Sequence, residues 1–218
     1  MQRHRGGRPF FSARLHLVNR DSGRNQLRKR LRAQRAQLPA QERINAATAL
    51  AATLEQLPEF LVDARIAGYW AVRGEMPLLA AFASLRAREQ DYCLPILTDS
   101  GVLRFASWCP GAALAANRFG IPEPNVALDQ QFAANDLDVV LVPLVGFDRR
   151  GNRLGSGGGW YDRSFAFLHD GPRPTRPLLV GIGYHFQEVA DLAPEPWDIR
   201  MDFIATDHEL INCTESNA

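Results

Sequence analysis

Leu27, Leu31 and Leu38 recur at helical spacing with arginines between them, which predicts a helix capped at Asp21-Ser22 and running to about Gln37. Pro39 ends it, and the alanine-rich stretch 40–57 predicts a second helix. The period then changes. Residues 65–70 read as a strand, Gly74-Glu75-Met76-Pro77 as a turn and 78–89 as a third helix. Residues 92–97 and 102–108 read as two strands around Asp99-Ser100-Gly101, and a proline-rich segment follows at 119–124. The continuous apolar run 138–144 suits a central strand buried on both faces of a parallel sheet. Residues 178–184 form a second such run, and 201–205 a last, shorter one. Strands alternating with helices imply a layered α/β domain with a largely parallel sheet. No repeat or linker divides it.

The run 138–144 leads into Val145-Gly146-Phe147-Asp148. Then comes Gly151-Asn152-Arg153-Leu154-Gly155-Ser156-Gly157-Gly158-Gly159-Trp160-Tyr161-Asp162-Arg163. A loop after a central strand lies at the carboxyl end of the sheet, where open α/β folds bind ligands. Glycine permits positive φ and close backbone approach, so successive N–H groups can converge on an anion. A helix over 161–168 would add the partial positive charge of its amino end. Arg153 can neutralise a phosphoryl group and Asp162 can hold Mg2+. On composition the loop fits a structural turn as well as it fits phosphate binding. Asp148 reads as a turn residue rather than a ligand.

Composition removes several alternatives. The chain has 218 residues, 46% hydrophobic and 22% charged, with a net charge of +1, so nothing global points to nucleic acid or membrane. Lys29 is the only lysine. There is consequently no downstream lysine for a Schiff base and no G-x-x-x-x-G-K-[ST] phosphate loop. A GC-rich genome accounts for the arginine bias, and phosphate charge must then be met by arginine, backbone or metal. Cys93, Cys109 and Cys213 have no C-x-x-C spacing and read as reduced thiols of a cytoplasmic protein. No apolar run is long enough to span a bilayer. Arg3, Arg5, Arg8, Arg14 and Arg20 crowd an acid-free start, which fits a transit peptide, an over-extended gene start or, the reading preferred here, a disordered tail over 1–23. His4 and His16 fall in that tail and His185 alone lies near a motif, so no zinc site is expected.

The loop and the segment before it resemble the 5-formyltetrahydrofolate cyclo-ligase family. The match runs through Pro143-Leu144-Val145-Gly146-Phe147-Asp148, Gly151-Asn152-Arg153-Leu154-Gly155 and Gly157-Gly158-Gly159-Trp160-Tyr161-Asp162-Arg163. Four further segments agree in order. Arg24 with Leu27-Arg28 is similar to the family's amino-terminal K-x-x-L-R. Gly74-Glu75 follows the first strand. Gly120-Ile121-Pro122-Glu123-Pro124 precedes the central strand, and Glu195-Pro196-Trp197-Asp198 matches E-x-x-D. The resemblance spans about 24–207 and gives a single domain over 24–210.

It implies a Rossmann-like, three-layer αβα arrangement and an ATP-dependent closure of 5-formyltetrahydrofolate to 5,10-methenyltetrahydrofolate, with Mg2+. Arg153 would be the catalytic cation. Arg24, Arg28, Arg153, Leu154, Gly155, Ser156, Gly157, Gly158, Gly159, Trp160 and Tyr161 would bind ATP. Trp70, Glu75 and Phe119, together with Ser156 to Trp160, would bind the folate, and Asp162 and Asp198 the metal. A monomer acting on small molecules, without nucleic acid or membrane partners, is expected. Arg24 stands where the family has lysine, Trp160-Tyr161 replaces its usual aromatic pair, and Ser156 and Gly158 fall where some members are basic. A non-catalytic folate-binding protein and a nucleic-acid-binding protein acting through the arginine-rich start are the alternatives.

Overall fold

The computed structural model describes residues 11–169 and 171–214, with side chains from residue 23 onward. Arg3, Arg5, Arg8 and His4 lie outside the described residues, as do the side chains of Arg14, His16 and Arg20. Helix α1 (Phe11–Gln37) begins well before the expected cap, with Asp21, Ser22 and Gly23 inside it. Weak helix formers lose only about 0.5–1 kcal/mol each relative to alanine, which does not stop a helix flanked by better formers. Helix α2 (Ala40–Leu54) follows Pro39. It ends short of the expected Leu57 because Pro58, at home in a first turn, opens a new helix, α3 (Pro58–Val62).

Strand β1 (Arg65–Ala67) is shorter than the stretch 65–70, because the chain leaves the sheet there. Helix α4 (Leu79–Ala87) leads to the antiparallel pair β2 (Asp91–Leu97) and β3 (Leu103–Ser107) around the expected turn. The proline-rich segment belongs to a small hairpin of β4 (Leu114–Ala116) and β5 (Pro122–Pro124). The apolar run 138–144 is β6 (Val139–Pro143), followed by the pair β7 (Gly146–Phe147) and β8 (Arg153–Leu154). The helix expected over 161–168 is only α5 (Trp160–Ser164) and a separate 3-10 turn, Ala166–Leu168. Strands β9 (Leu178–Ile182), β10 (Phe203–Ala205) and β11 (Leu210–Asn212) complete the sheet.

Among the described residues, the main sheet has seven strands in the order β11-β10-β9-β6-β1-β2-β3. Its five central strands are parallel, and the two outer ones, β11 and β3, run antiparallel to their neighbours. Alternate residues divide between two cores, as strand geometry requires. Ile66, Val139, Leu141, Leu178, Val180 and Ile182 pack with Leu50, Leu54 and Phe60 from α2 and α3 and with Phe82 and Leu85 from α4. Ala67, Val140, Val142 and Leu179 pack on the opposite face with Phe165, Leu168, Ile199 and Met201. The fold is thus the α/β arrangement expected, with one outer layer of true helices and a thinner one of short turns. Strand order reverses between β1 and β6: β2 lies on one side of β1, while β9 and β10 lie beyond β6. Ligands bind outside the carboxyl ends of strands at such a point.

Helix α1 closes this end. Leu31, buried to 1% exposure, packs with Val145, Leu154 and Leu192. A Cβ on Gly146 would lie 2.7 Å from Leu31 Cδ1, so the absence of a side chain there lets the helix dock.

Candidate active site

A cavity of about 600 Å³ opens beside the carboxyl ends of β1, β2 and β6, lined by α1, the glycine loop, the segment after β1 and the β4–β5 hairpin. Its volume falls in the range of small-molecule sites. Every candidate residue named from the sequence lines it except Leu154. Leu154 points into the small core under α1, and its carbonyl accepts from the Val145 N–H at 2.8 Å.

Among the described residues, six arginines line the cavity: Arg24, Arg28, Arg32, Arg35, Arg73 and Arg153. They outnumber the four lining carboxylates, Glu75, Asp162, Glu195 and Asp198, so the cavity favours an anion. Arg24, Arg28, Arg32 and Arg35 recur at steps of four, four and three, which puts them on one face of α1, while Leu27 and Leu31 face the core. Arg24 donates to Asp198 Oδ2 at 2.9 Å and to the Ala193 carbonyl at 3.0 Å. Arg28 Nε donates to the Gly155 carbonyl at 2.9 Å, and Arg32 to the Ser156 carbonyl at 3.1 Å. Helix α1 therefore holds the glycine loop by its carbonyls.

Arg32 and Arg35 were missed by the sequence reading, although their spacing from Arg24 and Arg28 is visible. Arg35 is 2% exposed, donating to the Arg73 carbonyl at 3.2 Å and toward the Leu144 carbonyl at 3.5 Å. Burial pulls its pKa down, against the Coulombic pull of Glu75. Burial also raises the Glu75 carboxyl above its ordinary range, opposed by the Val72 N–H, Arg35, Arg73 and Arg32. The Val72 N–H donates to Glu75 Oε2 at 3.1 Å.

Arg153 and Asp162, read as opposite ends of the loop, meet. Arg153 Nη2 donates to Asp162 Oδ1 at 2.6 Å, with side-chain exposures of 5% and 14%. The same oxygen accepts from the Ile199 N–H at 3.2 Å. Arg153 Nε is buried without a partner among the described residues. A Cβ on Gly155 would lie 2.8 Å from Arg153 Nη1, so glycine there lets the guanidinium fold across the loop backbone. Gly157 and Gly159 have φ of 97° and 65°. With only five residues, α5 contributes little dipole, and the positive field of the site comes from guanidiniums instead.

The aromatic candidates differ from one another. Trp70 and Phe119 are 36% and 54% exposed on the cavity lining, rather than core residues. Trp70 meets Trp108 edge to face, with centroids 5.8 Å apart. Trp160 already has Arg118 and Arg163 over its ring, at 5.1 and 5.3 Å. Tyr161 stacks on Phe165 at 6.3 Å, and burial raises its phenol pKa. The hairpin carrying Phe119 is pinned by Glu123, which accepts from the Leu97 N–H and the Asn117 side chain, each at 3.1 Å. Asp148 is the turn residue expected: buried to 1% exposure, it accepts from the N–H groups of Arg150, Asn152 and Leu192. Burial alone would raise its pKa, but its hydrogen bonds hold it below the ordinary carboxylate value.

Asp162 and Asp198 both line the cavity, each engaged through one oxygen: Asp162 as above, and Asp198 Oδ2 by Arg24 and the Glu195 N–H at 3.0 Å. Two half-engaged carboxylates facing an anion site are the oxygen donors a hard dication takes.

The family model for the 5-formyltetrahydrofolate cyclo-ligase family matches residues 20–207. The chain is 33% identical to the 5-formyltetrahydrofolate cyclo-ligase of Haemophilus influenzae, over 81% of this chain and 93% of that protein. It is 33% identical to the enzyme of the same name from Escherichia coli, over 68% and 81%. The NMR structure of 5,10-methenyltetrahydrofolate synthetase from Aquifex aeolicus aligns with a TM-score of 0.75 at 28% identity, covering 89% of this chain and 95% of that one. A 5,10-methenyltetrahydrofolate synthetase from Mycoplasma pneumoniae aligns at 0.67 and 26%, over 85% and 99%. With sequence, fold and a cation-rich cavity at the switch point in agreement, the chain belongs to the 5-formyltetrahydrofolate cyclo-ligase family, a family of ligases.

Proposed function

We propose that this protein uses ATP to close 5-formyltetrahydrofolate to 5,10-methenyltetrahydrofolate, releasing ADP and phosphate. The observation that carries the reading is the meeting, in one cavity, of the glycine loop, six guanidinium groups and the Glu75 carboxyl. An N-formyl oxygen is a poor leaving group. In the proposed reaction it attacks the γ-phosphorus, an O–P bond forms, and the bond to the β-phosphate breaks to release ADP. The tethered N10 then adds to the activated carbon, loses its proton, and the C–O bond breaks with departure of phosphate. Because N10 is on the same molecule, the protein's contribution is orientation and stabilisation of charge on the phosphoryl group.

Arg153 is suited to the phosphoryl group: it is buried, held by Asp162 and has an unused Nε–H. Arg24 and Arg28 would exchange their present partners for ATP phosphates, and the backbone of Gly155, Ser156, Gly157, Gly158 and Gly159 would wrap them. Glu75 would accept hydrogen bonds from the pterin, with Trp70 and Phe119 against its rings. Asp162 and Asp198 would hold Mg2+, which would offset phosphate charge. The thiols fit a reducing, cytoplasmic setting: Cys93 and Cys213 are buried and pushed up to about 12 by that burial, and Cys109 is exposed. No helix among the described residues is long and apolar enough to cross a membrane. The reading is of a monomer. Formation of the methenyl product, followed by absorbance, is expected only when 5-formyltetrahydrofolate, ATP and Mg2+ are all present. Product appearing equally without ATP would overturn it.

A further inference from the structure

Strands β9 and β10 run parallel, with Ile182 paired to Ala205. His185 lies three residues beyond Ile182 and His208 three residues beyond Ala205. An in-register parallel pair extended past its last rung thus delivers two histidines side by side. Their rings stack with centroids 3.7 Å apart and planes within 9°, so one exposed imidazole must turn out of the stack before both in-plane lone pairs can point at one ion. Asp207, on the same turn, sets Oδ2 at 3.0 Å from His185 Nδ1 and 3.7 Å from His208 Nε2.

We infer that His185, Asp207 and His208 form a second metal site, for a borderline dication such as Zn2+, separate from the cavity. All three donor atoms lie within 4.8 Å of one another. Two nitrogens and a carboxylate oxygen around zinc at about 2.0–2.2 Å sit roughly 3.4 Å apart, so the carboxylate–imidazole spacings already bracket the bound geometry. Zinc would replace the proton shared between His185 and Asp207. Imidazole selects such metals over Mg2+, which prefers oxygen donors. None of these residues lines the cavity.

The donors are also braced. Asp207 Oδ1 accepts from the His185 N–H at 2.7 Å. Buried Thr206 accepts from the His208 and Glu209 N–H groups, each at 3.1 Å. Such supporting bonds orient metal ligands. The site would also tie the turn His185–Gln187 to the end of β10, and Gln187 donates to the Leu144 and Val145 carbonyls between β6 and β7, where the Val145 N–H bonds to the Leu154 carbonyl just before the glycine loop. Bound metal would therefore stiffen the floor beneath the loop.

The test is calorimetric titration of Zn2+ into the untagged, chelator-stripped full chain in excess Mg2+, with a parallel thermal melt. One equivalent should bind at micromolar affinity and raise Tm by about 2–5 °C. His208→Ala and Asp207→Asn should each weaken binding at least tenfold and abolish the Tm rise. His208→Gln serves as the second variant should the alanine form fold poorly. Absence of zinc binding at tens of micromolar, or equal binding by wild type and the folded variants, would overturn the site. Both readouts are independent of folate turnover.

Discussion

Arg153 sits at the centre of the proposed chemistry. Its guanidinium is 5% exposed, paired with Asp162 at 2.6 Å and folded over Gly155. Arg153→Ala should lower kcat by about 10²–10³-fold, the scale for losing one preorganised transition-state donor. It should also lower Tm, since Asp162 would keep its burial without its partner. Arg153→Lys should restore the melt but only part of the rate, because an ammonium lacks the forked donors. Near-normal kcat for Arg153→Ala would remove it from the chemistry. Glu75 gives a second test. Its folded pKa is raised by burial. Its full stability contribution is therefore present below the ordinary glutamate range and is lost as pH rises through the raised value. Glu75→Gln, which cannot ionise, should raise Tm by about 1–3 °C at pH 7.5 and make no difference near pH 4. It should meanwhile raise the folate KM by about 10–100-fold, the scale of charge-assisted hydrogen bonds. A lower Tm at pH 7.5 would contradict the sign. From sequence, the spacing of Arg35 was visible but its burial was not, because buried cations are rare. The arginines at 24 and 28 stood out only through a family pattern.

At the scale of elements, α1 carries two stripes: leucines that dock it and arginines that hold the loop. Leu31→Ala would remove the knob packed against Val145, Leu154, Leu192 and the bare Gly146. Truncations of this kind cost about 2–5 kcal/mol, so a Tm drop of about 5–15 °C is expected in a domain of this size. Since Arg28 and Arg32 reach the loop from this helix, the Michaelis constant for ATP should rise as well. A melt within 2 °C of wild type would show that α1 docks by other contacts. The long apolar strands were legible because fully buried runs leave a continuous signal. The hairpins β4–β5 and β7–β8 and strand β11 have only two or three residues each, too few to carry a period. The expected helix over 161–168 broke at Phe165, whose ring is wholly buried against the sheet. Tertiary packing overrode a weak local preference there.

For the whole molecule, the parallel α/β class followed from the order of strands and helices, but the sheet order did not. Long-range pairing leaves no trace in one sequence, and the reversal between β1 and β6 is what opens the cavity. The net charge of +1 likewise concealed a cavity where six guanidiniums face four carboxylates; topology, not composition, collects them. The glycine loop and Arg153 were recognised as the anion cradle, while the helix end expected to add to their positive field is only one turn long. In the proposed reaction this cavity couples phosphoryl transfer to folate closure. The direct measurement is ADP release and methenyl absorbance recorded together on the purified chain with Mg2+. No ADP is expected without 5-formyltetrahydrofolate, and one ADP per methenyl product is expected with it. ATP hydrolysis indifferent to folate, or tight folate binding with no conversion, would contradict that coupling.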